Sequence, residues 1–509
     1  MPLVRQPATA GRLRARRALI DTYQQPVVYM RSDCAVCRAE GFEAQTQVEL
    51  VANGREVLAI LHHVAADWLD GEEAALSDAA WKLLGLEEGE EVTVRHARPL
   101  ESLTFLRAKV YGRKLDYPSM HALIDDVSRG RVSDIHLAAF VTACAGGRLD
   151  QEEIVALTRA MVDTGERIRW PLSPVMDKHC VGGLPGNRTT MIIVPIVAAC
   201  GVIMPKTSSR AITSPAGTAD TMETLAPVNL NLATMRRVVE REGAFIAWGT
   251  GARLSPADDV LIRVERPLDL DSEAQLVASV LSKKLAAGSE RVLIDIPVGP
   301  TAKVRSRAAA QSLGDSLVAV GAAVGLQVRV VQSDGHQPVG RGIGPVLEAM
   351  DVMSVLRRDV AAPQDLRERS LVLAGTLLEM AQRATPGTGR ALAERTLDSG
   401  LALNKFIAIC EAQGGVREPV PAPFREAVVA PHDGRIGAID NRRLARAAKL
   451  AGAPQDPAAG AVIDVRLGDN VAKGQPLFTL HAQSPGELAY ALAYANANAQ
   501  SPIVEIDRS

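Results

Sequence analysis

The stretch Asp177–Thr190 reads DKHCVGGLPGNRTT and decides how the centre of this chain is interpreted. It follows a strand-like run and opens an apolar helix that continues to Cys200. Its glycines let the backbone approach a ligand closely, and the start of the helix offers free N–H groups and a positive dipole. Lys178 and Arg188 add positive charge. The stretch therefore predicts an anion site, most simply for phosphate, the alternative being a loop that only turns the chain.

A second stretch of similar character is Lys206–Glu223, KTSSRAITSPAGTADTME. It is rich in hydroxyl side chains, and Thr218 is expected to cap a helix that starts near Ala219. Two such loops, each leading into a helix, lie where open α/β sheets bind ligands. If the serines and threonines only cap and turn the chain, no ligand site follows.

The surrounding pattern predicts an α/β fold. Strand-like runs at Val292–Ile296 and Gln327–Val331 alternate with alanine-rich helices, which indicates parallel strands joined by helical crossovers. Further upstream, Ser133 begins one amphipathic helix, and Asp150 with Glu153 forms the capping box of another.

Both ends of the chain look β-rich, and Asn53-Gly54 between two strand-like runs is a hairpin signal. We therefore predict a helical bundle and a mixed α/β phosphate-binding domain, with small β-rich modules at the N-terminus and the C-terminus. The predicted domains are a β-rich module at 1–100, helices at 101–175, the α/β domain with interleaved helices at 176–418, and a hairpin-rich, barrel-sandwich-like α+β domain at 424–509.

Composition narrows the function classes. The 509 residues carry a net charge of −2 and 3% aromatic residues, which argues against nucleic acid and membrane surfaces as partners. The six cysteines are scattered, and neither a secretory signal nor an apolar run of about 18 residues is found. We therefore expect a cytoplasmic protein. Cys34 and Cys37 form a single CxxC, interpreted as two free thiols because a structural zinc site needs four ligands.

The segment Ser208–Glu223 resembles the signature of the thymidine and pyrimidine-nucleoside phosphorylases, and DKHCVGG resembles their phosphate loop. The resemblance runs from about Leu115 to the C-terminus. The residues of both motifs are most similar to those of the AMP phosphorylase branch and its bacterial relatives, the type-2 thymidine phosphorylases. The resemblance implies a pentosyltransferase that uses inorganic phosphate as co-substrate, without a cofactor or a metal, and that forms a homodimer or a higher homo-oligomer.

The resemblance also implies roles for individual residues. The phosphate-binding positions fall on Lys178, Thr190, Ser208 and Thr218. The base-binding positions fall on His179, Ser279 and Lys283. The substrate positions of the AMP phosphorylase branch fall on Gly183, Ser209, Arg210, Ala211, Ile212, Thr213, Ser214, Thr218, Ser279 and Lys303. The proton donor of that branch falls on Asp271, so the implied catalytic residues are Asp271, His179 and Lys178.

Each of these roles has a structural alternative, and two positions depart from the family. Asp271 is also placed to cap the helix that begins near Ser272, and His179 could be an ordinary buried histidine. Position alone does not separate Lys283 from Lys284 on a helix face. Cys180 stands where the family has a phosphate-contacting serine, and Val264 stands where it has a base-binding arginine.

The implied reaction is of the thymidine phosphorylase type, in which thymidine and phosphate give thymine and 2-deoxy-α-D-ribose 1-phosphate. The alternative in the same class is phosphorolysis of nucleoside 5′-monophosphates, which gives ribose 1,5-bisphosphate. A transferase that uses phosphoribosyl diphosphate, as anthranilate phosphoribosyltransferase does, and a non-enzymatic binding protein are the remaining hypotheses. The transferase would normally need a metal and an acidic metal-binding site, and the sequence contains no clear one. Release of the base only in the presence of phosphate distinguishes a phosphorylase from a binding protein.

Overall fold

The computed structural model describes residues 11–211, 214–249, 254–268, 270, 272–497 and 502–507. These residues form two compact units. The first contains the chain up to Ala160 together with Pro256–Ser272, and the second contains Met161–Ser255 together with the chain from Glu273 onwards. No helix in the described ranges is long and apolar enough to cross a membrane.

The first unit begins with a closed six-stranded barrel whose strand order is β1-β5-β2-β4-β3-β6. Its elements are β1 Arg12–Arg17, β2 Val27–Arg31, α1 Ala35–Glu40, β3 Gln47–Ala52, β4 Arg55–Val64, β5 Glu73–Leu76, α2 Asp78–Leu84 and β6 Glu91–His96. The predicted hairpin is confirmed, because Ala52 pairs with Arg55 and both Asn53 and Gly54 have positive φ. Alternate side chains fill the barrel, and Val28, Leu50 and Leu61 are fully buried.

Short helices follow the barrel: α3 Ser102–Val110, α4 Tyr117–Ser128, α5 Asp134–Cys144 and α6 Gln151–Asp163. The predicted capping box is present, because Glu153 N donates to Asp150 Oδ1 at 2.9 Å and Asp150 N donates to Glu153 Oε2 at 3.2 Å. A helix from much later in the chain, Pro256–Leu268, belongs to the same unit. Arg263 fixes it there through two hydrogen bonds of 2.7 and 2.8 Å to Asp134.

The second unit is built on parallel strands: β7 Met176–Cys180, β8 Met204–Ser208, β9 Ala244–Trp248, β10 Arg291–Val298 and β11 Gln327–Asp334. They pair in the orders β11-β10-β7 and β8-β9, and a parallel bridge between Val175 and Ile203 joins the two groups. The helices of this unit are α7 Thr189–Ala199, α8 Thr218–Glu223, α9 Leu232–Glu242, α11 Glu273–Ala286, α12 Arg307–Ala323, α13 Pro345–Arg357, α14 Gln364–Met380, α15 Gly389–Asp398 and α16 Leu401–Gln413. The helix Pro256–Leu268 of the first unit is α10. Helix α7 is apolar all round and buried along its length, as a central helix must be.

The C-terminal part contains two small antiparallel sheets, with strand orders β12-β15-β17-β13 and β16-β14-β18. Their elements are β12 Gly342–Ile343, β13 Phe424–Val429, β14 Gly434–Ile439, α17 Asn441–Leu450, β15 Gly460–Ile463, β16 Asn470–Val471, β17 Pro476–Ala482, α18 Pro485–Asn496 and β18 Val504–Asp507. Ile343 pairs with Ala461, so a strand from before α13 completes a sheet of the C-terminal part.

Candidate functional site

Three loops leave the same edge of the parallel sheet in the second unit. Residues 181–188 follow β7, residues 209–217 follow β8, and residues 299–306 follow β10. Because parallel strands all end at one edge, these loops are brought together by the topology. Most of the sequence-predicted site residues that the structure describes lie in these loops or at the strand ends that precede them.

Gly183 and Lys303, separated by 120 positions in the sequence, are in direct backbone contact. Gly183 has φ +81°, and a Cβ at this position would lie 2.3 Å from Lys303 N. Only glycine permits this approach, because the positive φ and the missing side chain are both required. The glycine predicted to approach a ligand therefore also joins the loop after β7 to the loop after β10.

Lys178 is fully buried near the end of β7. Its Nζ donates to Thr189 Oγ1 at 2.9 Å, and Asp295 Oδ2 on β10 lies 4.0 Å away. Asp295 Oδ1 accepts from Ser333 at 2.6 Å, whereas its Oδ2 has no hydrogen-bond partner among the described residues. The ammonium group of Lys178 is thus held next to the helix start of α7 with a carboxylate at the limit of ion-pair distance.

Asp177 is a junction between three elements. Its carboxylate accepts from Lys178 N at 2.7 Å, and it pairs with Lys206 Nζ on β8 at 3.3 Å and with Lys284 Nζ on α11 at 2.8 Å. Burial opposes ionisation of Asp177, but the two ammonium groups outweigh it and hold the pKa of this carboxyl below its usual value. One buried carboxylate therefore ties together β7, β8 and α11.

The buried cluster contains more positive than negative charge when all of its lysines are protonated. Lys178, Lys206 and Lys284 face two carboxylates, Asp177 and Asp295. Burial lowers the pKa of Lys206 to about 7, and the charge of Lys284 acts in the same direction, while Asp177 opposes the shift. An anion that binds at this edge of the sheet would relieve the excess of positive charge.

The positive charge of the lysine cluster also affects the pKa of His179. Burial lowers its pKa well below the usual 6.5, and the neighbouring charges of Lys284, Lys206 and Lys178 add to the shift. The imidazole is therefore neutral at pH 7 and has one N–H to donate. Burial likewise raises the pKa of the Cys180 thiol to about 11, so it is protonated, and its Sγ accepts from Asn187 Nδ2 at 3.3 Å.

The two arginines of the motif stretches are held by internal partners. Arg188 donates through Nε to the buried Glu348, through Nη2 to the Ala216 carbonyl at 2.7 Å and through Nη1 to Thr218 Oγ1 at 3.3 Å. Arg188 was expected to add charge to an anion site, but the structure uses it to connect the first two loops to α13. The hydroxyl of Thr218, predicted to bind phosphate, is one of its acceptors.

Arg210 is similarly neutralised. Its guanidinium donates to Asp220 at 3.1 Å and to Glu223 at 2.6 and 3.0 Å, and it stacks over the Trp248 ring at 4.7 Å. Two carboxylates already balance its single charge. This neutralisation weakens the implied role of Arg210 as a substrate position of the AMP phosphorylase branch.

Asp220 connects residues on either side of positions 212 and 213: its Oδ2 accepts from Ala211 N at 2.6 Å and from Gly217 N at 2.9 Å. The expectation that Thr218 caps the helix was wrong. Gly217 occupies the N-cap position, and the capping interaction comes from the carboxylate one turn later. A Cβ at Gly217 would lie 2.6 Å from Ala211 N, so the tight loop itself requires glycine.

The other predicted positions lie as follows. Thr190 is buried at the start of α7, Ser208 ends β8, and Ser209 and Ser214 lie in the loop that follows β8. Ser279 and Lys283 are half-buried and one turn apart on α11. Ile212, Thr213 and Asp271 lie outside the described residues.

Sequence reasoning missed four members of the charged cluster: Asp177, Lys206, Lys284 and Asp295. Asp177 and Lys206 are the first residues of the two motif stretches, which was the available signal. Lys284 differs from the adjacent Lys283 in being buried, which the sequence does not reveal, and Asp295 lies within an apolar strand run. Burial and pairing of this kind cannot be recognised from residue spacing.

Three family models match the chain. The α/β domain of the glycosyl transferase family matches residues 172–403, and the helical bundle domain of that family matches residues 103–165. The pyrimidine nucleoside phosphorylase C-terminal domain matches residues 435–501. These matches confirm the resemblance and the fold class predicted from the sequence.

The chain also resembles individual proteins. It is 64% identical over 493 residues to a protein named "Putative thymidine phosphorylase" from Polaromonas sp. strain JS666, with 97% of this chain and 96% of that protein covered. A protein of the same name from Hahella chejuensis is 58% identical, with 94% and 95% covered. Among solved structures, anthranilate phosphoribosyltransferase from Thermus thermophilus matches with a TM-score of 0.50 and 20% identity. That match covers 60% of this chain and 98% of the other, and at this identity it speaks for the fold alone.

Proposed function

Because this chain belongs to the glycosyl transferase family, in the branch of the thymidine and pyrimidine-nucleoside phosphorylases, we propose that it splits thymidine with inorganic phosphate into thymine and 2-deoxy-α-D-ribose 1-phosphate. The enzyme is a pentosyltransferase. The observation that carries the proposal is the buried ammonium group of Lys178, held between Thr189 and Asp295 beside a glycine-rich loop and a helix start. This arrangement suits the orientation of a phosphate nucleophile.

In the proposed mechanism, phosphate attacks the anomeric carbon while the base departs, and positive charge develops on the sugar. Lys178 and the N–H groups at the start of α7 hold the phosphate. The base needs stabilisation as it leaves, and the neutral imidazole of His179 would donate a hydrogen bond to it. Ser279 and Lys283 are proposed base contacts, and Asp271 is the proposed proton donor, in each case from the family resemblance.

The test of this proposal is a substrate panel. Thymidine, uridine and their 5′-monophosphates, together with AMP and CMP, are incubated with the full-length enzyme with and without phosphate, and the free base is measured by chromatography. We expect thymine to be released from thymidine only in the presence of phosphate. Release without phosphate would indicate a hydrolase, and no release from any substrate would contradict phosphorolysis.

The second candidate is phosphorolysis of nucleoside 5′-monophosphates, which requires a second site for the 5′-phosphate. The contact between Lys303 and Gly183 favours it, because it places a lysine-bearing loop beside the loop proposed to bind phosphate. The neutralisation of Arg210 by Asp220 and Glu223 disfavours it, because a 5′-phosphate carries about two negative charges that need donors. Thymidine therefore remains the first choice of substrate.

Replacement of Lys303 by alanine distinguishes the two candidates. If Lys303 binds a 5′-phosphate, the variant should lose about 10- to 100-fold in affinity for AMP, CMP or UMP, with little change for thymidine or uridine. The measurement is KM for each substrate at saturating phosphate. Lys473→Ala, at an exposed turn of the C-terminal part, makes the same change of charge and should leave all values unaltered. Equal losses for nucleosides and nucleotides would remove the second site.

A further inference from the structure

The N-terminal barrel contains a pair of thiols that the proposed function does not use. Cys34 and Cys37 lie in the segment SDCAVCR, Ser32–Arg38, at the beginning of α1. Both are free cysteines, both are buried, and both belong to the hydrophobic core of the barrel. Buried structural cysteines usually behave as small apolar side chains, so a chemical role requires further evidence from the local geometry.

The two thiols interact directly with each other. Cys34 is the N-cap of α1, and its sulfur accepts a hydrogen bond of 3.2 Å from the backbone N–H of Cys37. The Cys34 sulfur therefore lies beside the backbone of Cys37, one turn along the helix. Two cysteine side chains placed in this way need little backbone movement to reach the short separation of a disulfide.

The local environment shifts the pKa values of the two thiols in opposite directions. The neighbouring Cys37 thiol lowers the pKa of Cys34 to about 6, although burial opposes this shift. The interaction with Cys34 and burial raise the pKa of Cys37. The pair therefore favours the thiolate on Cys34 and the thiol on Cys37, which is the arrangement in which a nucleophilic cysteine lies beside a resolving cysteine.

Cys34 is buried, but the residues next to it in the chain are exposed to solvent. Its side chain is only 2% exposed, whereas the residues on either side of it, Asp33 and Ala35, are exposed. The chain on both sides of Cys34 is therefore at the surface while the thiol itself is covered, so a small oxidant is favoured over a bulky one. In the described part of the chain, no group of three or more His, Cys, Asp or Glu side chains could hold a metal ion, and a zinc site normally takes four ligands. Dithiol chemistry therefore fits this pair better than metal binding.

We propose that Cys34 and Cys37 form a reversible redox site, in which hydrogen peroxide or a similarly small peroxide converts the two thiols into an intramolecular disulfide. The Cys34 thiolate attacks one peroxide oxygen, the O–O bond breaks, and Cys34 becomes a sulfenic acid. The other oxygen leaves as hydroxide, which takes up from solvent the proton that Cys34 had released on ionisation and becomes water. The Cys37 sulfur then attacks the Cys34 sulfur, the S–O bond breaks, and the released hydroxyl takes the Cys37 proton to form a second water. Two thiols are oxidised by two electrons, and one peroxide is reduced to two waters.

The test uses a property of the sequence around the pair. Trypsin cleaves after Arg31 and after Arg38, so both cysteines are released in one peptide, Ser32–Arg38. The reduced full-length protein is exposed to hydrogen peroxide, quenched, unfolded in N-ethylmaleimide, digested and analysed by mass spectrometry. We expect this peptide to appear without maleimide and lighter than the reduced peptide by two hydrogens, and to regain two maleimide groups after treatment with dithiothreitol.

Cys144 is the matched control. It is fully buried like the pair, and burial raises the pKa of its thiol to about 12, so it should remain alkylated by maleimide after the same exposure. A Ser32–Arg38 peptide that still carries two maleimide groups, after an exposure that fully oxidises added glutathione, would overturn the proposal. Because the readout is the mass of the wild-type peptide, it depends neither on the folding of a variant nor on the substrate of the enzyme.

Two variants test the assignment of roles. Cys37→Ser should stop at the sulfenic acid on Cys34, which dimedone labels. Cys34→Ser should leave Cys37 unlabelled, because burial still raises the pKa of the Cys37 thiol when Cys34 is absent. Circular dichroism establishes that both variants are folded. Equal labelling of the two variants would contradict the proposed order of attack.

Discussion

Replacement of Lys178 by alanine should raise the phosphate concentration at half-maximal rate by about 10- to 100-fold and should also lower turnover. The physical reason is the loss of a charge-assisted hydrogen bond to the nucleophile. Lys178 is fully buried, and the carboxylate of Asp295 lies 4.0 Å from its Nζ, at the limit of ion-pair distance. Its charge is thus less fully compensated within the protein than that of Arg210, which two carboxylates neutralise. The measurement is the rate of thymine release from thymidine across a series of phosphate concentrations.

Removal of a fully buried side chain also leaves a cavity, so a second variant is needed to separate the loss of charge from the loss of volume. Lys178→Met retains most of the volume while it removes the charge, and it should show the same loss of phosphate affinity. Lys473→Ala removes an exposed lysine and should match the wild-type enzyme. Wild-type phosphate saturation in the methionine variant would take Lys178 out of the phosphate site, and with it the loop after β7.

Replacement of Asp177 by asparagine should destabilise the second unit by about 3–5 kcal/mol. The amide keeps the shape of the side chain but removes the charge that pairs with both Lys206 and Lys284, at 3.3 and 2.8 Å. Removal of one partner from a buried ion pair leaves an uncompensated charge in a medium that solvates it poorly. Urea unfolding, followed by circular dichroism at a fixed pH, measures the change in the free energy of unfolding.

The matched control is Glu368→Gln, which breaks an ion pair of 2.6 Å with Arg390 on the protein surface. Both side chains of that pair are exposed to solvent, which screens the interaction, so its loss should destabilise the protein far less than the loss of the buried pair. Addition of Lys206→Met to the Asp177→Asn variant should recover part of the stability, because one of the two unpaired charges is then removed. If Asp177→Asn and Glu368→Gln unfold at the same urea concentration, the charged junction does not hold the sheet edge together.

The sequence determined the features that depend on neighbouring residues. The hairpin at Asn53-Gly54 and the capping box of Asp150 with Glu153 were predicted and are present, since both are formed by a few consecutive residues. The alternation of apolar strand-like runs with alanine-rich helices predicted parallel strands such as β10, which pairs in the structure with β7 and β11. Parallel strands place their carboxyl ends at one edge, so the position of the motif loops at that edge also followed from the sequence pattern.

Only the tertiary structure decided which charges remain for a ligand. In the sequence, Arg188 was expected to add charge to an anion site and Arg210 to contact the substrate. In the structure, Glu348 binds Arg188, and Asp220 and Glu223 bind Arg210. Conversely, Asp177 was not recognised as the junction that holds Lys206 and Lys284. The electrostatic properties of a side chain depend on its burial and its partners, and the partner of Arg188 lies 160 positions away. Residue types and their spacing therefore located the loops. The pairing of charges across the sheet decided which side chains in those loops have internal partners and which remain available to a ligand.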